Sequence, residues 1–420
     1  MTAVDAPPPT ALPPTPASST AGPGVQLRTS TRDDLPAIAR LDGRAFHWTL
    51  SAEDVEHYGR ELFDPGNFVL AQEGAELVGA TGGYDFAVRM PGGAAVPAKG
   101  VTWVSVAATH RRRGILRSLM REQHRRMIAD ELAVSLLTAS EAGIYGRFGY
   151  GPATVRHAVR VTRPGTTFRA DVPDPGGVRY AETDEMRTVA PPLHARWHAT
   201  TPGALDRSAG WWATLLADKP AKRGGDSALY HLVHADGYAS YRIAEADGGR
   251  VCRVVDLVAV SRDAYVALWR VLLGLDLLSA VTAEVAPDDA LPHLLTDPRR
   301  VRTEGRYDGV WARILDVPAA LSARTYGTEL DVVLEVDDPF LGRGGRFRLR
   351  GGPDGAVCEP ASAPPHVRLG VAALGSLLFG GFRASSLARA ALVEAADPAV
   401  LRRVDTAFTA EREPEYGTDF

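Results

Sequence analysis

The sequence contains very little lysine and cysteine. Lysine supplies only three of the 47 basic residues, so nearly all of the positive charge is carried by arginine. The two cysteines, Cys252 and Cys358, exclude a disulfide-rich scaffold and form no C-x-x-C motif. We therefore expect two reduced thiols in the protein core. The formal net charge of −4 gives no overall attraction to nucleic acid or to an anionic membrane, and we expect neither as a partner.

The sequence also lacks long apolar segments, and we expect it to carry no secretory leader. The longest uncharged apolar run, residues 369–382, is too short and too rich in glycine to cross a bilayer. The first 24 residues consist mainly of Pro, Ala, Thr and Ser and lack the apolar region of a signal peptide. Because they offer almost nothing to bury, residues 1–24 are predicted to be a disordered tail. We accordingly expect a cytoplasmic protein.

The remaining composition is typical of a globular α/β protein. Hydrophobic residues make up 45% of the chain and charged residues 23%. A length of 420 residues corresponds to about three domains at roughly 150 residues each. A break rich in proline and glycine at 171–177 and a change of pattern near residue 310 indicate the boundaries. We predict domains at 25–165, 166–307 and 308–420.

The second predicted domain repeats the first in outline. Shifting the sequence by 153 positions places Val104 on Leu257 and Leu116 on Trp269 without a gap. In both regions a strand leads to a helix with periodic apolar residues. Under this shift, residues 110–114 fall on residues 263–267, which include neither the basic side chains nor the glycine. We therefore predict that 166–307 is a degenerate copy of the first domain.

The segment between residues 104 and 117 carries the clearest chemical signal. A strand rich in β-branched residues ends at Val106, and the sequence Arg111-Arg112-Arg113-Gly114 precedes an amphipathic helix. The N–H groups and positive dipole end of such a helix bind anions, and a glycine lets a phosphate approach the backbone. Neither G-x-x-x-x-G-K-[ST] nor G-x-G-x-x-G occurs here. The segment predicts a pyrophosphate site of neither the Walker nor the Rossmann type.

This loop resembles the acetyl-CoA pyrophosphate loop of the GNAT N-acetyltransferases, [QR]-x-x-G-x-[GA], except that Leu116 replaces a small residue. A longer resemblance covers V-A-A-T-H-R-R-R-G at 106–114 and A-S-E-A-G-I-Y-G-R-F-G-Y-G-P at 139–152. By these residues the chain resembles the Eis (enhanced intracellular survival) family of actinobacterial acetyltransferases. The resemblance implies two tandem GNAT-like domains followed by a sterol-carrier-like α/β domain. It also implies acetyl-CoA as co-substrate, a homohexamer and no metal.

The resemblance further implies roles for individual residues. Backbone groups of the strand would pair with the pantetheine arm of the cofactor: Val104, Ser105 and Val106. The loop and the first helical turn would surround its pyrophosphate: Arg112, Arg113, Gly114, Ile115, Leu116 and Arg117. Two residues after the next strand would lie beside the cofactor: Ser140 and Glu141. Tyr145 matches the general acid, and the terminal carboxylate of Phe420 matches the general base.

Acid–base chemistry supports the tyrosine more directly than the carboxylate. A tyrosine with a pKa of about 10 can protonate a leaving thiolate, since its acidity is close to that of a thiol. A terminal carboxyl group with a pKa of about 3.5 is a weak base toward an ammonium group with a pKa of about 10. Phe420 would act as a base through burial or a water relay, or would mainly bind the substrate cation. These alternatives stay open at this point.

The sequence defines the acceptor site less sharply. Phe46 and His47 follow the first helix and Trp103 lies on the cofactor strand, so these three either line an acceptor pocket or belong to the core. Acidic residues near the C-terminus favour a cationic amine if that terminus is buried at the site. We expect direct ternary-complex transfer to an aminoglycoside- or polyamine-like molecule or to a lysine side chain. The competing hypothesis is a non-catalytic protein that binds or senses acyl-CoA or a lipid.

Overall fold

Within the residues that the structure describes, the chain forms three β-sheets of eight, seven and five strands, each packed against helices. This computed structural model describes residues 20–22, 24–246, 248–395 and 397–420. Strands and helices alternate along the chain in three successive groups, called here the first, second and third units. The predicted α/β class is confirmed. Over the described ranges, no helix has the length and apolar character needed to cross a membrane.

The first unit begins inside the predicted tail. Its elements are β1 (Thr20–Gly22), β2 (Val25–Thr29), α1 (Leu35–Phe46), α2 (Ala52–Glu61), β3 (Val69–Glu73), β4 (Glu76–Arg89), β5 (Ala95–Val106), α3 (Ile115–Ala129), β6 (Val134–Thr138), α4 (Ala142–Tyr145) and β7 (Gly151–Pro152). β1 pairs antiparallel with β2, so residues 20–22 form a strand within the segment predicted to be disordered, while residues 1–19 and 23 lie outside the described residues. Composition could not show this pairing, because an edge strand recruits a neighbour through backbone groups alone.

The second unit follows a similar order of elements. They are β8 (Val155–Thr162), β9 (Arg179–Ala181), α5 (Thr183–His198), α6 (Ala209–Leu215), β10 (Tyr230–His234), β11 (Gly237–Ala246), β12 (Gly249–Ala259), α7 (Arg262–Gly274), β13 (Ala280–Val285), α8 (Leu291–Leu294) and β14 (Val301–Asp308). The strands form one sheet in the order β14-β8-β13-β12-β11-β10-β9. Tryptophans on α5 and α7, Trp197 and Trp269, anchor these helices in two apolar clusters with residues of the sheet.

The third unit comes after β15 (Val310–Ile314). It consists of α9 (Val317–Ser322), β16 (Leu330–Asp337), β17 (Gly345–Gly352), β18 (Gly355–Pro360), β19 (Val367–Gly370), α10 (Val371–Leu377), α11 (Ala384–Arg389), β20 (Val393–Ala395) and α12 (Pro398–Phe408). Its sheet has the order β18-β17-β16-β19-β20. The buried Arg324 guanidinium donates to the carbonyls of Leu377, Leu378 and Phe408 at 3.0, 2.6 and 2.7 Å. One buried side chain thus satisfies carbonyls at the ends of α10 and α12 that have no partner within their own helix.

Two strands join a sheet other than the one expected from the predicted boundaries. β8, expected in the first domain, pairs with β13 and β14 of the second sheet. β15, expected in the third domain, lies between β6 and β7 in the first sheet, whose order is β1-β2-β3-β4-β5-β6-β15-β7. Every residue of β15 is buried, which suits the interior of a sheet. The boundaries expected at residues 165 and 308 therefore do not coincide with the sheets.

The two copies of the strand–helix pair differ by a deletion. Shifted by 153 positions, β5 covers residues 248–259, which agrees with β12 at Gly249–Ala259. The same shift would start the next helix at residue 268, whereas α7 starts at Arg262. Only two residues connect β12 to α7, so the second unit has no counterpart of the arginine loop. A second copy of the fold is confirmed, and the gapless alignment of Leu116 with Trp269 is wrong.

Both cysteines lie in the interior. Cys252 on β12 and Cys358 on β18 are buried and unpaired. Burial raises the pKa of each thiol to about 12, so both stay protonated at neutral pH. The prediction of two core thiols is confirmed.

Candidate active site

The first sheet opens between β5 and β6. These strands pair in parallel only over residues 98–101, opposite residues 134–137. β5 then continues along β4 to its end, so its last residues, Val104, Ser105 and Val106, extend past the pairing with β6. The backbone there presents N–H and C=O groups toward the opening, which suits an extended ligand with amide groups. The structure thus places these three residues on the open edge of β5, and their pairing with a pantetheine arm stays a prediction.

The arginine loop follows the open end of β5. Arg112 and Gly114 have positive φ angles of 64° and 85°, and Gly114 immediately precedes α3. A Cβ at Gly114 would meet no atom within 4 Å, so its φ rather than crowding favours glycine, and the space above it is open. The side chains of Arg111, Arg112 and Arg113 are exposed. Their charge and the N–H groups of the first helical turn would suit a polyanion at this end of the cleft.

Some basic groups near the loop have partners within the protein. The Arg113 guanidinium lies 3.2 Å from the Glu73 carboxylate, and His110 Nε2 lies 2.9 Å from the other oxygen of that carboxylate. The Arg117 guanidinium lies 5.3 Å from the ring centroid of Phe340 in the third unit. These contacts orient the loop while its outer face stays in solvent.

The other predicted cofactor residues contribute in different ways. The side chains of Ile115 and Leu116 belong to apolar clusters, so only their backbone N–H groups at the start of α3 are available to an anion. Ser140 and Glu141 are exposed and connect β6 to α4. They lie on the β6 side of the opening, across from the loop that follows β5.

Tyr145 is the last residue of α4. Its side chain is 6% exposed and shares an apolar cluster with Val101 and Leu137, the last paired residues of β5 and β6. Burial, with a smaller contribution from the charge of Asp42, raises the pKa of Tyr145 to about 12. The phenol therefore stays protonated at neutral pH and is suited to donate a proton rather than to accept one.

The C-terminal residue lies at the same opening. Thr138 Oγ1, at the end of β6, donates a 2.9 Å hydrogen bond to the main-chain oxygen of Phe420. The Phe420 ring centroid lies 5.0 Å from that of Phe86. A Cβ on Gly100 of β5 would lie 2.7 Å from the Phe420 ring, so a glycine there makes room for the terminal residue.

Residues of the second unit hydrogen-bond the C-terminal segment just before that segment enters the cleft. The Leu205 N–H donates to the Tyr416 carbonyl at 3.0 Å, and the Tyr416 ring is buried. The Arg207 guanidinium donates to Thr418 Oγ1 at 3.1 Å and pairs with Asp256 at 2.6 Å. These directed bonds distinguish this terminus from an ordinary frayed end. They fix where the carboxylate of the last residue lies.

Trp103 belongs to a cluster of aromatic rings beside the cleft. Its ring centroid lies 6.2 Å from Trp48, 5.9 Å from Tyr58 and 6.4 Å from Phe68. Its indole N–H donates to Tyr84 Oη at 2.8 Å. The φ of Trp103 is 52°, at a point where the register between β4 and β5 shifts. Sequence reasoning missed Trp48, Tyr58 and Tyr84, because no local pattern separates them from core aromatics.

The other two expected pocket residues, Phe46 and His47, occupy the end of α1. Phe46 is 43% exposed, and within the described residues its ring pairs with no ring of the Trp103 cluster. His47 has a φ of 59°, which ends the helix, and it lines a groove of about 740 Å³ between α1 and α2. The change of chain direction at His47 brings Trp48, rather than Phe46, to the cluster.

A buried carboxylate lies next to these rings. Asp42 is 4% exposed and continues the buried face of α1 that includes Leu35 and Ile38. The Trp48 indole and the Ser105 hydroxyl are polar neighbours, yet among the described residues neither Asp42 Oδ1 nor Ser105 Oγ has a partner in full hydrogen-bonding geometry. Burial raises the pKa of Asp42 to about 6, against the lowering effect of these two neighbours. In the sequence, Asp42 falls at an apolar position of the helical repeat, and this spacing could have identified it as a candidate buried acid.

The corresponding opening of the second unit has a different lining. β12 and β13 pair only over 251–253 and 280–282, and beyond them lies a cavity of about 440 Å³. Five acidic and two basic side chains line it: Asp256, Glu284, Asp289, Glu304, Glu415, Arg253 and Arg412. Burial raises the pKa values of Glu284, Asp289 and Glu415. An excess of acidic groups repels a pyrophosphate, so this cavity does not suit the ligand expected in the first unit.

The cleft of the first unit combines groups that suit one elongated ligand. The exposed arginine loop lies at one end, and the protonated phenol of Tyr145 and the main-chain oxygen of Phe420 lie at the other. Over the ranges that the structure describes, no three His, Cys, Asp or Glu side chains come together as metal ligands.

Known families match the chain in the order of its units. A family described as an acetyltransferase (GNAT) domain matches residues 26–153, and a second family of that description matches residues 203–314. A sterol carrier protein domain family matches residues 317–416. The predicted order of two GNAT-like domains and a sterol-carrier-like domain is confirmed.

Whole-chain similarity decides the family. The chain is 41% identical over 398 residues to N-acetyltransferase Eis of Mycobacterium tuberculosis (strain ATCC 25177 / H37Ra), which covers 92% of this chain and 97% of the relative. The chain belongs to the Eis family of N-acetyltransferases. It is therefore an acyltransferase, as predicted.

Further members and folds agree with this assignment. An uncharacterised N-acetyltransferase of Streptomyces coelicolor is 39% identical over 361 residues, covering 83% of this chain and 85% of the relative. The crystal structure of Eis1 from Mycobacterium abscessus has a TM-score of 0.83 at 34% identity and covers 94% of this chain and 100% of that one. A GCN5-related N-acetyltransferase from Anabaena variabilis, at 20% identity and a TM-score of 0.81, shares the fold over 94% of this chain and 100% of its own.

Proposed function

We propose that this Eis-family chain transfers the acetyl group of acetyl-CoA to a primary amine in a direct ternary complex. One observation supports this above the others. Tyr145 and the main-chain terminus of Phe420 lie at the same opening between β5 and β6, and the arginine loop follows the same strand β5. A proton donor and an anion at one opening suit a reaction that must protonate a leaving group and receive a cation.

The first unit fits the shape and charge of the co-substrate. Acetyl-CoA supplies an acetyl thioester at the end of an amide-containing arm that leads to a pyrophosphate. The backbone of residues 104–106 can hydrogen-bond the amides of that arm. Arg112, Arg113 and the first turn of α3 can hold the pyrophosphate. Ser140 and Glu141 would flank the arm from the β6 side.

Tyr145 and Phe420 act on the two partners of the transfer. The amine nitrogen forms a bond to the acetyl carbon, the carbon–sulfur bond breaks, and the products are an amide and a free thiol. Tyr145 donates its phenolic proton to the departing sulfur. The Phe420 carboxylate attracts the acceptor as an ammonium group. Once this group has lost one proton to solvent, the neutral amine attacks, and the carboxylate takes the second proton as the carbon–nitrogen bond forms. A weak base suffices at that stage, because a nitrogen that bonds to a carbonyl carbon becomes far more acidic than a free ammonium group.

The acceptor class follows from charge and ring chemistry at the opening. The terminal carboxylate and the Trp103 cluster attract a cationic amine, so we propose an aminoglycoside- or polyamine-like molecule or a lysine side chain. The family resemblance also supports a homohexamer, and the two reduced core thiols suit the cytoplasm. Light scattering of the purified protein and fractionation of cells test these two points.

A thiol-release assay tests the proposal directly. Purified protein and acetyl-CoA are mixed with polyamines, aminoglycosides and lysine peptides, and free thiol is measured with a chromogenic disulfide. We expect release that depends on the amine and one acetyl group on the product by mass spectrometry. Tight binding of acetyl-CoA without release across the panel would contradict the proposal and favour the acyl-CoA sensor.

A further inference from the structure

Asp42 has no part in the proposed transfer, yet its carboxylate lies at the acceptor side of the cleft. Its polar neighbours are the indole of Trp48, within the aromatic cluster, and the hydroxyl of Ser105, on the strand expected to hold the cofactor. Asp42 Oδ1 and Ser105 Oγ both lack a full hydrogen-bond partner among the described residues. A buried carboxylate with unfilled acceptor capacity costs free energy in the free protein, and binding of a ligand would account for its presence.

Two lysines that contact residues of α2 are held by other groups. Lys219 Nζ lies 2.9 Å from Asp54, and Lys222 Nζ lies 4.6 Å from the ring centroid of Tyr58. In the part of the chain that the structure describes, no lysine or arginine forms an ion pair with Asp42. The charge of Asp42 is therefore not neutralised from within the protein, and a cation from outside could neutralise it.

The surrounding walls suit an ammonium group. Trp48 and Trp103 lie 6.2 Å apart, and the Tyr84 ring lies 5.2 Å from Trp211 of the second unit. Aromatic faces attract ammonium groups through their negative electrostatic potential, most strongly in desolvated sites. The negative charge of Asp42 reaches Tyr145 and Tyr84, where it adds to the effect of burial in raising the pKa of each phenol. Asp42, the ring cluster and the proposed proton donor thus share one region.

Two anions therefore flank the acceptor region, although the transfer needs only one. The Phe420 terminus lies at the end of β6, and Asp42 lies next to Ser105 near the end of β5. A monoamine would satisfy the first anion and leave the second without a partner. An acceptor with two ammonium groups would satisfy both.

We propose that Asp42 forms a binding subsite for a second, non-reacting ammonium group of the acceptor, so that diamines are preferred to monoamines of equal length. This inference rests on the proposed acetyl transfer to a primary amine. Asp42 then sets specificity through contact with the acceptor and takes no proton in the reaction.

Matched acceptors and matched variants test the subsite. Straight-chain diamines of increasing length are compared with amino alcohols in which a hydroxyl replaces the far amine, for the wild type, Asp42→Asn and Asp33→Asn. Asp33 is an exposed acid just before α1 and controls for loss of charge. We expect Asp42→Asn to raise KM for the best diamine about tenfold or more and to change kcat less than about twofold. KM for the amino alcohol should not change, and Asp33→Asn should match the wild type.

Several outcomes would overturn the subsite. One is an equal change for diamine and amino alcohol, and another is a fall in kcat on both acceptors at unchanged KM. A third is a preference for diamines that survives Asp42→Asn. A turnover-independent measurement separates this inference from the transferase proposal: the diamine should raise the thermal midpoint of the wild type but not of Asp42→Asn. Such a shift without thiol release would keep the subsite and reject the transferase, whereas no shift in the wild type would reject the subsite.

Discussion

The first and second units share one strand–helix–strand plan but differ in charge where the sheet opens. In the first unit β5 leads to an arginine loop at the start of α3, whereas β12 reaches α7 through two residues. The second opening is lined mainly by carboxylates, with Glu415 supplied by the C-terminal segment. The same fold thus offers an anion site in one copy and repels anions in the other. Ligand choice follows from the loop and not from the fold.

The second unit nevertheless shapes the first opening. Arg207 holds the C-terminal segment, and Trp211 of α6 packs against Tyr84 and Phe86 of β4. The second unit, which has no arginine loop, therefore helps to position the C-terminal segment and the aromatic side chains at the opening of the first unit. Four predictions, from the largest expected effect to the smallest, test this division between the two units.

The largest effect should come from extending the C-terminus. One alanine added after Phe420 moves the terminal carboxylate away from Thr138 and leaves a neutral amide at the opening. We expect kcat to fall about 10³-fold, comparable to the loss of a key electrostatic group, with acetyl-CoA affinity unchanged within about twofold. Steady-state kinetics and equilibrium binding measure the two quantities. An N-terminal tag serves as control, and full activity of the extended chain would refute the role of the carboxylate.

The next effect compares one tyrosine from each opening. Tyr145→Phe removes the proposed proton donor, and we expect kcat to fall about 10²-fold. Tyr265→Phe removes a 2.6 Å hydrogen bond to Asp289 in the second cavity, so it should lower stability by about 1 kcal/mol and leave kcat unchanged. Thiol release and thermal unfolding provide the measurements. Equal losses of kcat in the two variants would mean that the second opening also takes part in the reaction.

A smaller effect is expected from arginines of the loop. Replacing Arg112 and Arg113 together by alanine should raise KM for acetyl-CoA about tenfold or more with little change in kcat, because charge-assisted bonds to the pyrophosphate are lost. The wild-type KM should also rise with salt, and the variant's KM should depend on salt less. Arg253→Ala, which breaks a 2.5 Å ion pair with Asp226 at the second opening, is the matched control. The same rise in KM for Arg253→Ala would contradict the assignment of the loop.

The smallest effect concerns stability and pH. Asp42 is charged above pH 6 in the folded protein, and its raised pKa means that folding disfavours that charge. Asp42→Asn should therefore stabilise the free protein at pH 8 by about 1 kcal/mol, less than the full pKa difference implies because the amide also lacks partners. Well below the unfolded-state pKa of about 3.9, at about pH 3, the carboxyl is protonated in folded and unfolded chains alike, so the gain should disappear. Thermal unfolding at both pH values measures this, with Asp33→Asn unchanged, and a loss of stability at pH 8 would show that Asp42 is well partnered.

Local features of the site could be predicted from the sequence, whereas non-local ones could not. The arginine loop is a contiguous motif between a strand and a helix, and the structure has both elements. The position of Phe420 was available only through the family resemblance, since no periodicity connects residue 420 with Thr138. Trp48 replaced Phe46 because one residue with positive φ redirects the chain after α1. Asp42 was missed because the periodicity of apolar residues along α1 does not by itself show that an acidic residue on the same face is buried.

The domain boundaries illustrate the same limit. Proline and glycine mark where the chain turns, but they do not show which sheet receives the next strand. β8 follows the first unit in sequence and joins the second sheet, and β15 follows the second unit and joins the first. Strand pairing between residues this distant depends on burial of both faces, which local composition does not encode.

The position of β15 has a consequence for biosynthesis. Because β15 lies between β6 and β7, the sheet that carries the proposed active site stays incomplete until residue 314 has left the ribosome. By then the whole second unit has already been translated, so a fragment that stops near residue 165 would expose the edge of β6 as a template for aggregation. The first unit therefore should not fold when it is expressed without the second unit and β15, even though the two units share the same order of strands and helices.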